Sequence, residues 1–216
     1  MKIFIPIKKN SQRVKEKNFR NFLNEPLYKH TLLKLKDFNV FVDTDSEEIL
    51  SEIESDSRLF HVNGIRRRKD LVGDTVSVCD LVSSWIAEYK IQGNICQIHV
   101  TSPFLKVETL FKAMSKISKG FDSVVSCNEI QSRLWRNESY GFCPVNHNPA
   151  LLEQTQDLPF YYEENSLFYI FDADYFSKTN MRIGKNPFFY KCTFPENIDI
   201  DTEDDWEKSL LISEKY

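Results

Sequence analysis

Glycine is scarce, at 6 of 216 residues, and none lies between Lys8 and Arg20. Walker-type phosphate loops and dinucleotide fingerprints both need glycine to bring backbone N–H groups against phosphate, so that segment is neither. Long apolar runs are also missing. The longest stretch without a charge, Ile91 to Leu105, is 15 residues long and includes Gln92, Asn94, Gln97, His99 and Ser102. It is too short and too polar to span a bilayer. The apolar start, Ile3 to Ile7, runs straight into Lys8 and Lys9; this is wrongly flanked for a secretion leader and predicts a first β-strand. The five cysteines are an odd number, and the nearest two, Cys127 and Cys143, are 16 positions apart. Neither zinc-ligand spacing nor a disulfide framework is indicated, and reduced thiols in a cytoplasm are expected. With no Pro/Gly/Ser-rich linker and no internal repeat, a single domain over residues 1–216 is expected.

The charge is unevenly distributed. Lys8 to Arg20 holds six basic residues against Glu16 alone, whereas Glu196 to Tyr216 holds eight acids against Lys208 and Lys215. Such an arrangement could bring an anion and a metal cation together. Short runs rich in β-branched and aromatic residues predict strands at Lys2 to Ile7, Val40 to Asp43, Leu59 to Val62, Ile95 to Val100, Ser123 to Ser126, Leu167 to Phe171 and Phe188 to Thr193. Helical spacing falls between the early ones, as in Val78, Leu81, Val82, Trp85, Ile86 and Tyr89, and in Val107, Leu110, Phe111, Met114 and Ile117. Strand alternating with helix predicts an α/β fold, a mostly parallel twisted sheet with helices on both faces. The rhythm breaks from Asn128 to Asn165, which predicts a small inserted lobe.

In open α/β sheets, ligands bind beyond the carboxyl ends of the strands. The loop after the first strand carries Lys8, Asn10, Ser11, Arg13, Lys17 and Asn18; without glycine, it would have to grip phosphate by side chain. Taken alone, such a loop is more often a solvated surface than a ligand site. Asp43 to Ser46 ends another predicted strand and also suits a helix N-cap. Thr101 to Pro103 is a turn leading into a helix. Alternation through Ile198, Asp199, Ile200 and Asp201 predicts a strand with both isoleucines on one face and both carboxylates on the other, where they could share a hard cation. Thr202 with Asp205 reads as a capping box instead.

Taken in order, these segments resemble the acylneuraminate (CMP-sialic acid type) cytidylyltransferase family along nearly the whole chain. Ile5 to Asn18 resembles its P-A-R-x-x-S-K-x-x-P-x-K-N signature, and Val42 to Asp45 its V-S-T-D strand end. Arg67 to Asp74 resembles R-P-x-x-L-A-x-D, Thr101 to Pro103 resembles Q-P-T-S-P, and Tyr162 to Tyr169 resembles Y-x-E-N-G-x-x-Y. Ile198 to Thr202 reads I-D-I-D-T, as in the family.

The resemblance implies a nucleotide-diphospho-sugar transferase fold with a dimerisation lobe at residues 128–165. It also implies a reaction in which CTP and an α-keto acid sugar give a CMP-sugar and pyrophosphate with Mg²⁺. Lys8, Asn10, Ser11, Asn18, Arg67 and Ser77 would bind the nucleotide, and Lys17, Arg13 and Asp201 would act on the reacting phosphate. Asp199 and Asp201 would hold magnesium, with His99, Thr101, Ser102 and Gln156 near the sugar. Lys8 stands where the family usually has arginine, Gln12 where it has lysine, Lys15 where it has proline, Arg68 where it has proline, His99 where it has glutamine and Ser166 where it has glycine.

Three rival readings follow. A nucleic-acid binder is disfavoured by a pI near 5.7 and by the lack of any recognised motif. An inactive sugar-nucleotide-binding protein would explain the loop departures but not the two retained aspartates. A 3-deoxy-manno-octulosonate cytidylyltransferase shares the chemistry.

Overall fold

The computed structural model describes residues 1–11 and 13–215; Gln12 lies outside them. Strict alternation in β1 (Lys2–Ile7) sends Ile3, Ile5 and Ile7 to one face and Phe4 to the other, all four buried. A strand apolar on both sides must be covered on both. It is followed by the hairpin strands β2 (Asn21–Phe22) and β3 (Glu25–Pro26), then α1 (Leu27–Lys34), β4 (Asn39–Thr44), α2 (Glu47–Ser55), β5 (Val62–Arg66), α3 (Val78–Tyr89) and β6 (Asn94–Ile98). The second half comprises α4 (Val107–Ile117), β7 (Ser123–Ile130), β8 (Trp135–Glu138), β9 (Gly141–Pro144), β10 (Tyr161–Asp172), α5 (Ala173–Thr179), β11 (Pro187–Lys191) and α6 (Glu203–Ser213).

Seven strands form one sheet in the order β11-β7-β10-β6-β1-β4-β5. Only β10 runs antiparallel to its neighbours, so the sheet is mostly parallel. On one face Ile3, Ile5, Ile7, Val40 and Val42 pack with Leu32 of α1, Ile49 and Ile53 of α2 and Leu110 and Ala113 of α4. On the other, Phe4 and Phe41 pack with Leu81, Val82, Trp85 and Ile86 of α3 and Phe176 of α5. Phe4 stacks on Trp85 with ring centroids 4.8 Å apart. The chain leaves β1 toward β4 on one side and reaches β6 on the other. The carboxyl ends of β1 and β6 therefore flank the point where strand order reverses, the usual crevice for a ligand.

Two predicted strands differ. Leu59 to Val62 is not one strand: Ser57–Leu59 is a 3₁₀ turn capped by the Asp56 side chain, and β5 begins only at Val62. Leu59 is apolar because it is a buried core residue, and burial alone does not distinguish a strand from a turn. Ile198 to Asp201 is likewise outside the sheet, held by backbone bonds from Ile200 N to Thr101 O at 2.9 Å and from Ile198 N to Pro195 O at 3.1 Å. Ile200 is buried with Phe22, Leu27 and Trp206, while Ile198 stays partly exposed.

Within residues 128–165, β7 continues to Ile130 and pairs with the start of β10, and β8 and β9 form a separate two-stranded sheet. This region turns large side chains outward: Tyr140 is 78%, Phe142 71% and Leu152 94% exposed. The pairing of β10 with β7 shifts register between Glu164 and Tyr169, and Ser166 there has φ 59°. That left-handed backbone is cheap for glycine and costs serine about 1 kcal/mol. This accounts for the glycine that the resembling sequences place at that point.

Candidate active site

The glycine-free loop after β1 is shaped by side chains. Asn18 Nδ2 donates to Lys8 O at 2.9 Å, and Lys9 N donates to Asp45 Oδ1 at 2.7 Å, so the end of β4 braces the loop. Val14 is fully buried and anchors its middle. Ser46 meanwhile caps α2, its hydroxyl accepting from Ile49 N at 3.4 Å. The loop thus stands fixed over the reversal point, walling a cavity of about 250 Å³.

Lys8, Asn10, Ser11, Arg13, Lys17, Asn18 and Arg67 line that cavity, as do His99 and Thr101 beyond the end of β6. The basic loop and the acidic end of the chain meet beside it. Arg13 Nη2 lies 2.8 Å and Lys17 Nζ 3.4 Å from Asp201 Oδ1. Lys17 is buried and also donates to Ile200 O. Arg20 forms a forked pair with Glu203 at 2.5 and 2.8 Å, and its guanidinium lies over the Trp206 ring. Lys8 is 3.5 Å from Asp74 at the opposite rim.

Arg67 is 4% exposed and forms an ion pair with Asp43, which is 5% exposed. Its Nη2 donates to Asp43 O at 2.9 Å and to Ile7 O at 3.3 Å, tying together the ends of β1 and β4. Burial pushes the Asp43 carboxyl above its ordinary range, and the guanidinium beside it pulls it back.

The two aspartates predicted as a pair differ in environment. Asp201 is paired with Arg13 and Lys17, whose charges oppose in part the repulsion expected between two bare carboxylates. Asp199 Oδ1 is buried without a hydrogen-bond partner among the described residues. Desolvation pushes that carboxyl up, a hydrogen bond from Thr101 lowers it, and nearby Asp201 adds to the rise. Neither aspartate lines the cavity; Asp199 borders a separate recess beside α6.

Three other predicted positions stand apart from the cavity. Ser77 is the N-cap of α3, its hydroxyl accepting from Asp80 N at 3.2 Å in a capping box, between the cavity-lining residues Val76 and Val78. Ser102 is buried, with its hydroxyl unpaired among the described residues. Gln156 lies on a turn in residues 128–165, donating to Gln154 Oε1 at 2.7 Å, and does not line the cavity. Sequence reasoning missed Arg182, which reaches Gln97 Oε1 at 2.6 Å across 85 positions. A lone arginine in a polar loop carries no spacing signal.

A mostly parallel α/β sheet with a cation-walled crevice at its reversal point suits a protein that binds an anionic ligand. Residues 3–214 match the cytidylyltransferase family, and the chain belongs to it, which makes it a nucleotidyltransferase. The chain is 28% identical over 222 residues to a CMP-N,N'-diacetyllegionaminic acid synthase of Legionella pneumophila, covering 94% of this chain and 91% of that one. It is 23% identical to an N-acylneuraminate cytidylyltransferase of Streptococcus agalactiae, covering 94% of this chain and about half the length of that protein, 50%. A CMP:2-keto-3-deoxy-manno-octonic acid synthetase solved with CTP shares the fold. Its TM-score is 0.66 at 15% identity, covering 99% of this chain and 98% of that one.

Proposed function

We propose that this chain couples CTP to a nonulosonic acid, a sialic-, legionaminic- or pseudaminic-like keto sugar acid, giving a CMP-sugar and pyrophosphate. The observation that carries this reading is the meeting of the basic loop with the acidic end of the chain beside one cavity. The substrate class follows from the relatives' activities.

The anomeric hydroxyl of the sugar acid attacks the α-phosphorus of CTP. A new P–O bond forms, the α–β anhydride breaks, and the hydroxyl proton is lost. Lys8, Arg13 and Lys17 neutralise the triphosphate, and Asn10, Ser11 and Asn18 hydrogen-bond to it and to the nucleoside. Fixed cations in a walled cleft need little reorganisation as charge moves to the leaving pyrophosphate. Arg67, held by Asp43, keeps its Nη1 group for the nucleotide, and Ser77 lies beside it. His99 and Thr101, which line the cavity, are assigned to the sugar side; Ser102 and Gln156, which do not, are left out of it. Asp199 and Asp201 suit Mg²⁺ as hard oxygen donors, the buried unpaired Oδ1 of Asp199 above all. When bound there, magnesium would supply charge neutralisation at the phosphates.

CTP is expected to raise the melting temperature by mass action, and ATP or GTP to raise it less. Equal shifts for all three would refute the choice of cytosine. Incubation with CTP, Mg²⁺ and a panel of nonulosonic and eight-carbon keto sugar acids, read as pyrophosphate release, then identifies the sugar.

The same reading makes the protein a cytoplasmic homodimer. Its five cysteines are free thiols, as that compartment requires, and Tyr140, Phe142 and Leu152 offer apolar surface for a second copy. Light scattering at micromolar concentration should give about twice the 25.5 kDa of one chain, and Phe142→Glu should lower it toward one. A monomeric wild-type mass would overturn the dimer.

A further inference from the structure

The loop after α5 is locked into place. The Asp122 carboxylate accepts from Lys185 N at 2.7 Å and Asn186 N at 2.8 Å, and Ser123 Oγ accepts from Gly184 N at 2.8 Å. A Cβ at position 184 would lie 2.3 Å from Asp122 Oδ1, so only glycine allows this approach. The lock sets Arg182, two residues earlier, with its guanidinium 3.8 Å from the centroid of the Tyr169 ring. The Tyr169 hydroxyl in turn donates to Glu164 Oε2 at 2.8 Å.

From there the hydrogen bonds run in one direction. A guanidinium only donates, so the Gln97 atom 2.6 Å from Arg182 Nη1 must be the amide oxygen. The amide nitrogen of Gln97 is thereby turned toward His99 Nε2, 2.7 Å away, and it too can only donate. His99 Nε2 therefore carries no proton, and the proton of the neutral ring sits on Nδ1. Burial, and then the charge of Arg182, lower this histidine to about 4, which favours the neutral ring. Nδ1 has no hydrogen bond among the described residues, and His99 lines the cavity.

We propose that Arg182 and Gln97 are positioning residues that hold His99 as its Nδ1–H tautomer, so that this part of the cavity wall donates a hydrogen bond to an oxygen of the sugar acid. The proposal rests on the sugar-acid reading above and deepens it. A donor at this point favours a substrate that presents a carboxylate or acyl oxygen there over one that presents an N–H. Gln97, fully buried on β6, is the one intermediate between the charged residue and the ring among the described residues.

Ring ¹⁵N NMR of His99 in the ligand-free protein tests the tautomer without any substrate. A protonated Nδ1 and an unprotonated Nε2 are expected. A protonated Nε2, or an imidazolium at neutral pH, would overturn the proposal. Arg182→Met frees the Gln97 amide to flip and should give a mixture of tautomers. Gln97→Glu places a carboxylate that accepts from both sides, and should move the proton to Nε2; this variant decides the matter if Arg182→Met does not fold. With the sugar acid that the pyrophosphate assay selects, both variants should raise its KM about tenfold, the worth of one hydrogen bond, and change the KM for CTP little. An unchanged tautomer together with an unchanged sugar KM would overturn the proposal. If no sugar acid is turned over, the substrate reading fails, while the NMR result still decides whether the relay exists.

Discussion

Asp201→Asn is expected to lower pyrophosphate release at saturating CTP by about 100-fold or more, the scale on which lost charge stabilisation at a reacting phosphate is felt. Asp201 orients Arg13 and Lys17 over the cavity, and on the proposed reading shares Mg²⁺ with Asp199. Stability should barely move. Arg13 is largely exposed, where ion pairs contribute about 0–1 kcal/mol, and Lys17 keeps its bond to Ile200 O. The melting temperature should thus stay within about 4 °C. Asp199→Asn should differ in sign. The carboxyl of Asp199 is raised in the folded protein, so its ionisation opposes folding. Wild-type stability declines as pH rises from the unfolded pKa through the folded one, and the asparagine variant lacks that decline. Without metal it should be at least as stable as wild type at neutral pH. If both variants turn over near normally at limiting Mg²⁺, the two aspartates have no part in the chemistry.

Arg67→Met is expected to destabilise the protein by about 3–5 kcal/mol, because it leaves Asp43 buried without its cation. Urea unfolding gives the value. Asp43→Leu with Arg67→Met should recover most of the loss, since apolar residues replace buried pairs well, and the two sites touch and so couple. The recovered protein should still bind CTP about tenfold or more weakly, having lost the guanidinium from the cavity wall. A single variant within about 1 kcal/mol of wild type would show that the pair is not what ties β1 to β4. A stable double variant with unchanged CTP affinity would return Arg67 to a purely structural role.

The central sheet was legible because its strands alternate with helices and its inner faces are apolar on both sides, as Ile3, Phe4 and Ile5 show. The loop residues around Lys8 to Asn18 were legible by charge, and the structure brings most of them to one cavity. Ile198 to Asp201 shows where pattern misleads. Alternation there reflects Ile200 seeking the Phe22 and Trp206 cluster, and period two arises in an extended segment outside any sheet. Arg182 and Gln97 were not legible, because their meaning depends on a contact between distant segments and on the direction of hydrogen bonding through an amide. The loop residues Arg13, Lys17 and Arg20 were read correctly as cations, but their partners could not be assigned by proximity in sequence.

Those partners carry a consequence for the order in which the protein is made. Arg13, Lys17 and Arg20 bind Asp201, Ile200 and Glu203, across separations of 183 to 188 positions. All seven sheet strands are complete by Lys191. During synthesis, a nascent chain that stops just short of Asp199 can already pair its whole sheet and Lys8 with Asp74, yet Arg13, Lys17 and Arg20 lack these partners. These contacts are made last, so a translation product cut short there would keep the sheet and the residues that line the cavity, and would lack the carboxylate that holds Arg13 and Lys17 beside it.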